Sequence, residues 1–138
     1  NGNEIKSKQT SGIAIEIRGA AEIKNGKIST TNGVTGLRAM GKSASLTLTD
    51  MTVSVTGTGS NPEWNHTAIG AANGATVVIN NGTYSAEVGY GLVTMTTGAD
   101  ITINEGICYV AFPEDAHMPG RHLDVPNDFV KVVVKLKV

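Results

Sequence analysis

The chain has 138 residues, a formal net charge of −1, and only 17% charged and 4% aromatic residues. This length favours a single domain. A near-neutral charge offers no basic field that could hold nucleic acid by its phosphates, and no apolar run approaches the ~18 residues of a membrane-spanning helix. The sequence therefore predicts a chain that neither binds nucleic acid nor inserts into a membrane.

Residues 1–11 are polar and are predicted to be an entry segment, either an entry strand or the edge of a preceding coil. From residue 12 to residue 112, a unit with three short strand patterns repeats. Each unit has an aliphatic anchor that is followed two positions later by Asn, Asp or Glu. The anchors, spaced by 25, 31 and 24 residues, are Ile23, Leu48, Ile79 and Ile103.

Apolar and polar residues alternate within each unit, which is the period of a β-strand. Units of this length with three strands and no helical pattern predict a parallel β-helix of four to five coils. The general rule for parallel crossovers makes it right-handed. The inward phase of the first strand in each unit stays open, because Ile13 and Ile15 do not align simply with Leu37 and Ala39.

The polar residues that follow the anchors are expected to stack at one corner of the coils, with glycine at the next position able to adopt positive φ. Met51 takes that position in one unit, so the corner does not always need glycine. The alternative is a calcium or substrate groove, although calcium needs six to eight oxygens. The sequence thus predicts no cofactor, with calcium as the alternative. The column consists of Asn25, Asp50, Asn81 and Glu105.

The long spacing of 31 residues predicts an insertion at residues 57–66, which contains the only tryptophan of the chain. Insertions in a repeat stack emerge from a corner and often carry function. A flat ring among hydrogen-bonding groups fits a sugar ring or a peptide ligand. The alternative is that Trp64 packs back onto the adjacent coil as a lid. The predicted ligand-binding residues are Asn61, Glu63, Trp64, Asn65 and His66.

After Phe112 the chain is rich in turn residues, and residues 129–138 read as an amphipathic strand with a lysine face. Residues 113–138 are therefore predicted to form a C-terminal cap, because lysines on a terminal strand oppose further pairing. The alternative is that this strand begins another coil of a longer protein. Cys108 is predicted to be a buried apolar residue, and the histidine spacing matches no zinc motif. No catalytic residue and no metal ligand are predicted.

The stretch from Gly36 to Ser54 resembles the coils of right-handed parallel β-helix proteins of the pectin-lyase-like superfamily. It is most similar to the non-catalytic repeats of bacterial adhesins and autotransporter passengers. The resemblance covers residues 12–110 and implies a fold more than an activity. Polysaccharide-cleaving members would be expected to show clustered aspartates, whereas Asp50 and Asp100 fall in different columns of the repeat.

Together these features predict a non-catalytic bacterial module, extracellular or at the cell surface, that is adhesin-like or surface-structural. Its expected partner is a polysaccharide or a host or cell-surface protein, bound through the inserted loop. One alternative is a fragment of a polysaccharide lyase or glycoside hydrolase. Another is a segment of a phage tail fibre. The chain is expected to be a monomer or, in the tail-fibre case, a trimer.

Overall fold

The structure is a computed structural model that describes residues 3–7, 9–57 and 66–104. These residues form ten β-strands and no helix, so the predicted all-β class is confirmed. The predicted cap at 113–138 and Cys108 lie outside the described residues. The strands are β1 (Glu4–Ser7), β2 (Ile13–Ile17), β3 (Ala20–Lys24), β4 (Lys27–Thr30), β5 (Thr35–Met40), β6 (Ser45–Val55), β7 (Thr67–Ala72), β8 (Thr76–Ala86), β9 (Tyr90–Thr94) and β10 (Asp100–Ile103).

The strands form two sheets in which every pairing is parallel. The larger sheet has the order β1-β4-β6-β8-β10, with β3 also paired to β6. The smaller sheet has the order β2-β5-β7-β9. Each repeat thus contributes one strand to the smaller sheet and then passes to the larger one. Parallel neighbours of this kind require a crossover between them, and here the other sheet provides it.

The register of the larger sheet confirms the predicted columns. Ile23 pairs with Leu48, Leu48 pairs with Ile79, and Ile79 pairs with Ile103. Ile28, Val53 and Tyr84 form a second column in the same sheet. The insertion lies between β6 and β8 in the chain, and these two strands keep continuous pairing on both sides of Asp50.

The smaller sheet resolves the phase of the first strand in each repeat. Ile15 pairs with Leu37, and the same column continues through Ile69 to Leu92. The two residues of the first pair are 22 positions apart, whereas their counterparts in the larger sheet are 25 apart. The difference of three arises at the corners, because two residues separate Ile17 from Ala20 and five separate their partners Ala39 and Ser45.

The core lies between the two sheets and is made of stacked aliphatic columns. Burying one such side chain fully contributes about 1.5–3 kcal/mol relative to leaving it exposed. Because the columns repeat, each buried residue is flanked by its equivalents along the stack. Fully buried core residues include Leu37, Ala39 and Ile69 from the smaller sheet and Leu46, Leu48, Val53, Val77 and Ile79 from the larger sheet.

The corner within the larger sheet is formed by residues with left-handed backbone. Asn25, Asp50 and Asn81 have φ of 53°, 51° and 97°. The expectation that the following glycine would supply positive φ is wrong for Gly26, which is not among the positive-φ residues. Asn and Asp adopt this conformation more readily than other non-glycine residues. This explains how Met51 can follow Asp50 and bury its side chain almost completely.

Replacing Asp50 tests this corner. Asp50→Val should lower the free energy of unfolding by about 1–3 kcal/mol, because a β-branched residue is strained at positive φ. Asp50→Asn should change it by no more than about 0.5 kcal/mol. Urea unfolding followed by circular dichroism measures both. Thr52→Val, at an exposed extended position of the same strand, is the control. Equal losses in the Val and Asn variants would contradict the backbone explanation.

Candidate functional site

The inserted loop leaves the stack after β6 and returns just before β7. Its ends, Gly57 and His66, belong to the described residues, and residues 58–65 do not. Of the predicted ligand-binding residues, Asn61, Glu63, Trp64 and Asn65 therefore lie outside the described residues. The structure shows how the two ends are held, and that determines where the loop emerges.

The outgoing end is held by the repeats before and after it. The amide of Gly57 donates a hydrogen bond of 2.7 Å to Oε2 of Glu87. The amide of Gly33 donates to the carbonyl of Thr56 at 2.9 Å. Gly57 has a φ of 79°, and an added Cβ would lie 3.0 Å from the amide nitrogen of Asn32. A glycine at this position therefore permits a close approach between neighbouring repeats.

The returning end is held in the same way. The amide of His66 donates to the carbonyl of Gly33 at 2.7 Å, and its carbonyl accepts from the amide of Tyr90 at 3.0 Å. Its φ is 70°, which is uncommon for a residue with a side chain. Both ends of the loop are thus fixed by backbone or carboxylate hydrogen bonds to adjacent repeats.

The side chain of His66, which the sequence predicted to be a ligand-binding residue, is buried, with a relative exposure of 2%. Its ring packs against Gly33, where an added Cβ would lie 2.5–2.8 Å from ring atoms. Within the described residues, neither ring nitrogen has a hydrogen-bond partner. A buried polar group left without a partner costs about 1–3 kcal/mol.

Sequence reasoning missed two exposed apolar side chains next to the returning end of the loop. Tyr90 pairs with Thr67, the residue after His66, and is 39% exposed. Val88 is 45% exposed. Large apolar side chains that stay exposed can mark an interaction surface, and Tyr90 adds a hydroxyl to its ring. The available signal was that the chain has only three tyrosines, and one begins a strand beside the insertion.

Two members of the predicted polar column at the corner are joined by a side-chain hydrogen bond. Nδ2 of Asn81 donates to Oδ1 of Asp50 at 2.6 Å. Beside it, Nδ2 of Asn80 donates to Oγ1 of Thr49 at 3.4 Å, and Asn104 donates to Asn80. Glu105, the last member of the predicted column, lies outside the described residues. These bonds join side chains of neighbouring repeats at the corner, and the bond between Asn81 and Asp50 lies within the described part of the predicted column.

The calcium alternative draws on the same column. In the described segments, no group of three or more His, Cys, Asp or Glu side chains is arranged to hold a metal ion. The Asp50 carboxylate already accepts the Asn81 amide on one oxygen. Calcium prefers six to eight oxygen ligands, and this corner carries a single described carboxylate.

Tyr84 closes this corner, because its hydroxyl donates to the carbonyl of Asn81 at 3.0 Å. Burial raises the pKa of Tyr84 to about 12, and the nearby Asp50 carboxylate acts in the same direction. Between pH 10 and 12 the unfolded chain therefore loses this proton while the folded chain keeps it. Stability should fall as the pH rises through this window.

Tyr84→Phe should remove that alkaline loss. The wild type should lose no more than about 2 kcal/mol between pH 10 and 12 through this group, since Tyr84 is only about half desolvated. At neutral pH the free energy of unfolding of the variant should be about 1 kcal/mol lower than that of the wild type, because the hydrogen bond of the hydroxyl is lost. Denaturant unfolding across this pH range, with Tyr90→Phe as the control, measures the effect. Parallel pH profiles for wild type and Tyr84→Phe would contradict it.

Comparisons with protein-family models, with curated proteins and with solved structures found no match to this chain. Among the described residues, no helix has the length and apolar character needed to cross a bilayer.

Proposed function

We propose that this chain is a right-handed parallel β-helix module without catalytic activity that displays a glycan-binding corner at the Trp64 loop. The proposed setting is extracellular or at the cell surface, in an adhesin-like or surface-structural protein. The supporting observation for the fold is the constant parallel register of strands one repeat apart. The observation that carries the function is the anchored loop beside the exposed ring of Tyr90.

The corner has the chemistry that a sugar requires. Sugar rings present CH faces that stack on aromatic rings and hydroxyls that need hydrogen-bond partners. Tyr90 provides one aromatic ring beside the loop, and Trp64 provides another within it by sequence. Because both loop ends are fixed, little ordering entropy would be lost at the stem on binding.

Charge favours a neutral glycan over a polyuronate. Glu87 holds the outgoing end of the loop through its carboxylate, and Glu63 adds a second acidic residue by sequence. Like charges would repel uronate carboxylates unless a cation bridged them. The proposed ligand class is therefore a neutral polysaccharide or oligosaccharide.

A glycan array probed with and without calcium tests the binding claim. Neutral glycans should be retained in both conditions, whereas retention of acidic glycans with calcium alone would instead favour cation-mediated binding. If no glycan is retained in either condition, the binding claim is lost. Release of reducing ends or of unsaturated products from polyuronates would support the enzyme alternative and contradict a non-catalytic module.

Fluorescence of the single tryptophan measures binding at the loop itself. Glycans retained on the array should shift the Trp64 emission in a saturable titration. Tyr90→Ala should weaken the affinity about tenfold or more, which corresponds to roughly 1.4 kcal/mol. Trp64→Ala should have a similar effect in calorimetry. Val78→Ala, on the outer surface of β8, is the control and should bind like the wild type; an equal loss there would contradict the assignment of this corner.

A further inference from the structure

The first described repeat carries the same short motif on all three of its outermost strand segments. Each has Glu, then Ile, then Lys or Arg, and we call these motifs the edge triplets: Glu4-Ile5-Lys6, Glu16-Ile17-Arg18 and Glu22-Ile23-Lys24. Each triplet closes an ion pair between its own ends. The distances are 3.2 Å for Lys6–Glu4, 2.7 Å for Arg18–Glu16 and 2.7 Å for Lys24–Glu22.

The strands with these triplets are the edges of both sheets at one end of the stack. Among the described residues, β1 pairs only with β4, β2 only with β5, and β3 only with β6. The other side of each strand leaves backbone groups that could pair with another strand. An edge of this type is a template for association between chains.

Among the described residues, the core is also open at this end. A cavity of about 320 Å³ is lined by apolar side chains that include Ile5, Ile23 and Met51, and also by Lys24 and Lys27. Ile5 lies in the column that continues through Ile28, yet it is 49% exposed. Apolar columns and unpaired strand edges together would accept another parallel layer. A second copy of this chain offers strands of the same spacing and pattern.

The charges are specific to this end of the stack. In the next repeat, Glu22 and Lys24 pair with Thr47 and Thr49. Two repeats along from β1, the corresponding outward positions are occupied by Thr52 and Ser54. The strand β6 thus carries hydroxyl residues where the edge carries ions. Lys27 and Arg38, which lie on the strands directly next to the edge, form ion pairs with the edge itself, with Glu4 at 3.2 Å and with Glu16 at 2.5 Å.

We propose that the edge triplets protect this open end from end-to-end association with a second copy. A docked strand would lie about 4.8 Å away and would displace water from side chains of the edge strand. Removing ionised groups from water is unfavourable unless new partners replace the solvent. In the isolated chain each charge keeps its water on the open side. The charges therefore oppose pairing at this edge of the described strands, although its backbone and core would accept a partner.

The test replaces the charges with the residues that β6 carries at the same positions. The edge variant carries Glu4→Thr, Lys6→Ser, Glu22→Thr and Lys24→Thr, which leaves the net charge unchanged and keeps the Glu16–Arg38 pair. Threonine is a better strand former than glutamate or lysine, so the fold should persist. Circular dichroism and cooperative unfolding check this.

A smaller matched pair separates edge position from charge removal. Glu22→Thr with Lys24→Thr removes one charge of each sign from the edge. Lys42→Thr with Asp50→Asn removes one of each sign from exposed corner residues. Light scattering coupled to size exclusion, over a series of protein concentrations, gives the mass of each form.

The edge variants should show a concentration-dependent mass at least twice that of the wild type, and the corner variant should match the wild type. A symmetric dimer or an open-ended polymer of the edge variants would each support the proposal. An edge variant that stays folded with the wild-type mass at every concentration would overturn it. Equal association of the edge and corner double variants would also overturn the proposal, because removing charges at any exposed position would then cause association.

Discussion

Constant register between strands one repeat apart is the constraint on which the rest of this molecule depends. Side chains in a strand alternate between faces, so a slip of one residue would move a whole column from core to solvent. The pairing of Ile23 with Leu48, and of Leu48 with Ile79, keeps each aliphatic residue over its equivalent. The rest of the fold can vary only where this register is unaffected, which means at the corners.

The corners absorb all the differences between repeats. They contain two residues between β2 and β3, four between β5 and β6, and the whole insertion between β6 and β7. Left-handed Asn and Asp residues make a sharp corner without requiring glycine. A loop that begins and ends at fixed backbone hydrogen bonds can therefore be long without disturbing Leu48 or Ile79.

The larger sheet was predictable from sequence because its columns keep their chemical character. Ile23, Leu48, Ile79 and Ile103 align by spacing alone, and the structure pairs them as expected. The smaller sheet was harder to predict, because the alternation of apolar residues does not indicate how many residues each corner between the sheets contains. The position of positive φ was also missed at Gly26, because Asn25 can adopt it at little cost.

The candidate site was only partly predictable for a related reason. A lone tryptophan in an irregular insertion is visible in the sequence, whereas the neighbours of its stem come from other repeats. Glu87 and Tyr90 reach the stem only through the register of β8 and β9. Likewise, a histidine in a polar loop gives no sign that it will be buried.

His66 is the place where local rules conflict most clearly. It combines positive φ, near-complete burial and two ring nitrogens that have no hydrogen-bond partner in the part of the chain that the structure describes. In natural proteins, backbone preference, packing and hydrogen bonding usually favour the same structure at each residue. Residues at which they disagree are concentrated at functional or strained positions. Its location at the end of the candidate loop is consistent with the proposed binding corner. At the edge triplets, by contrast, the proposed role of the charges is to lower the affinity for a second copy with which the edge strands could otherwise pair.

The most direct test of the central claim is a set of backbone nuclear Overhauser contacts between strands in the isotopically labelled protein. Parallel pairing predicts contacts at a constant difference in residue number, which is 31 between β6 and β8 and 24 between β8 and β10. Leu48 should therefore contact the neighbourhood of Ile79, and Ile79 that of Ile103. Contacts with a constant sum of residue numbers would indicate antiparallel strands and would contradict the account.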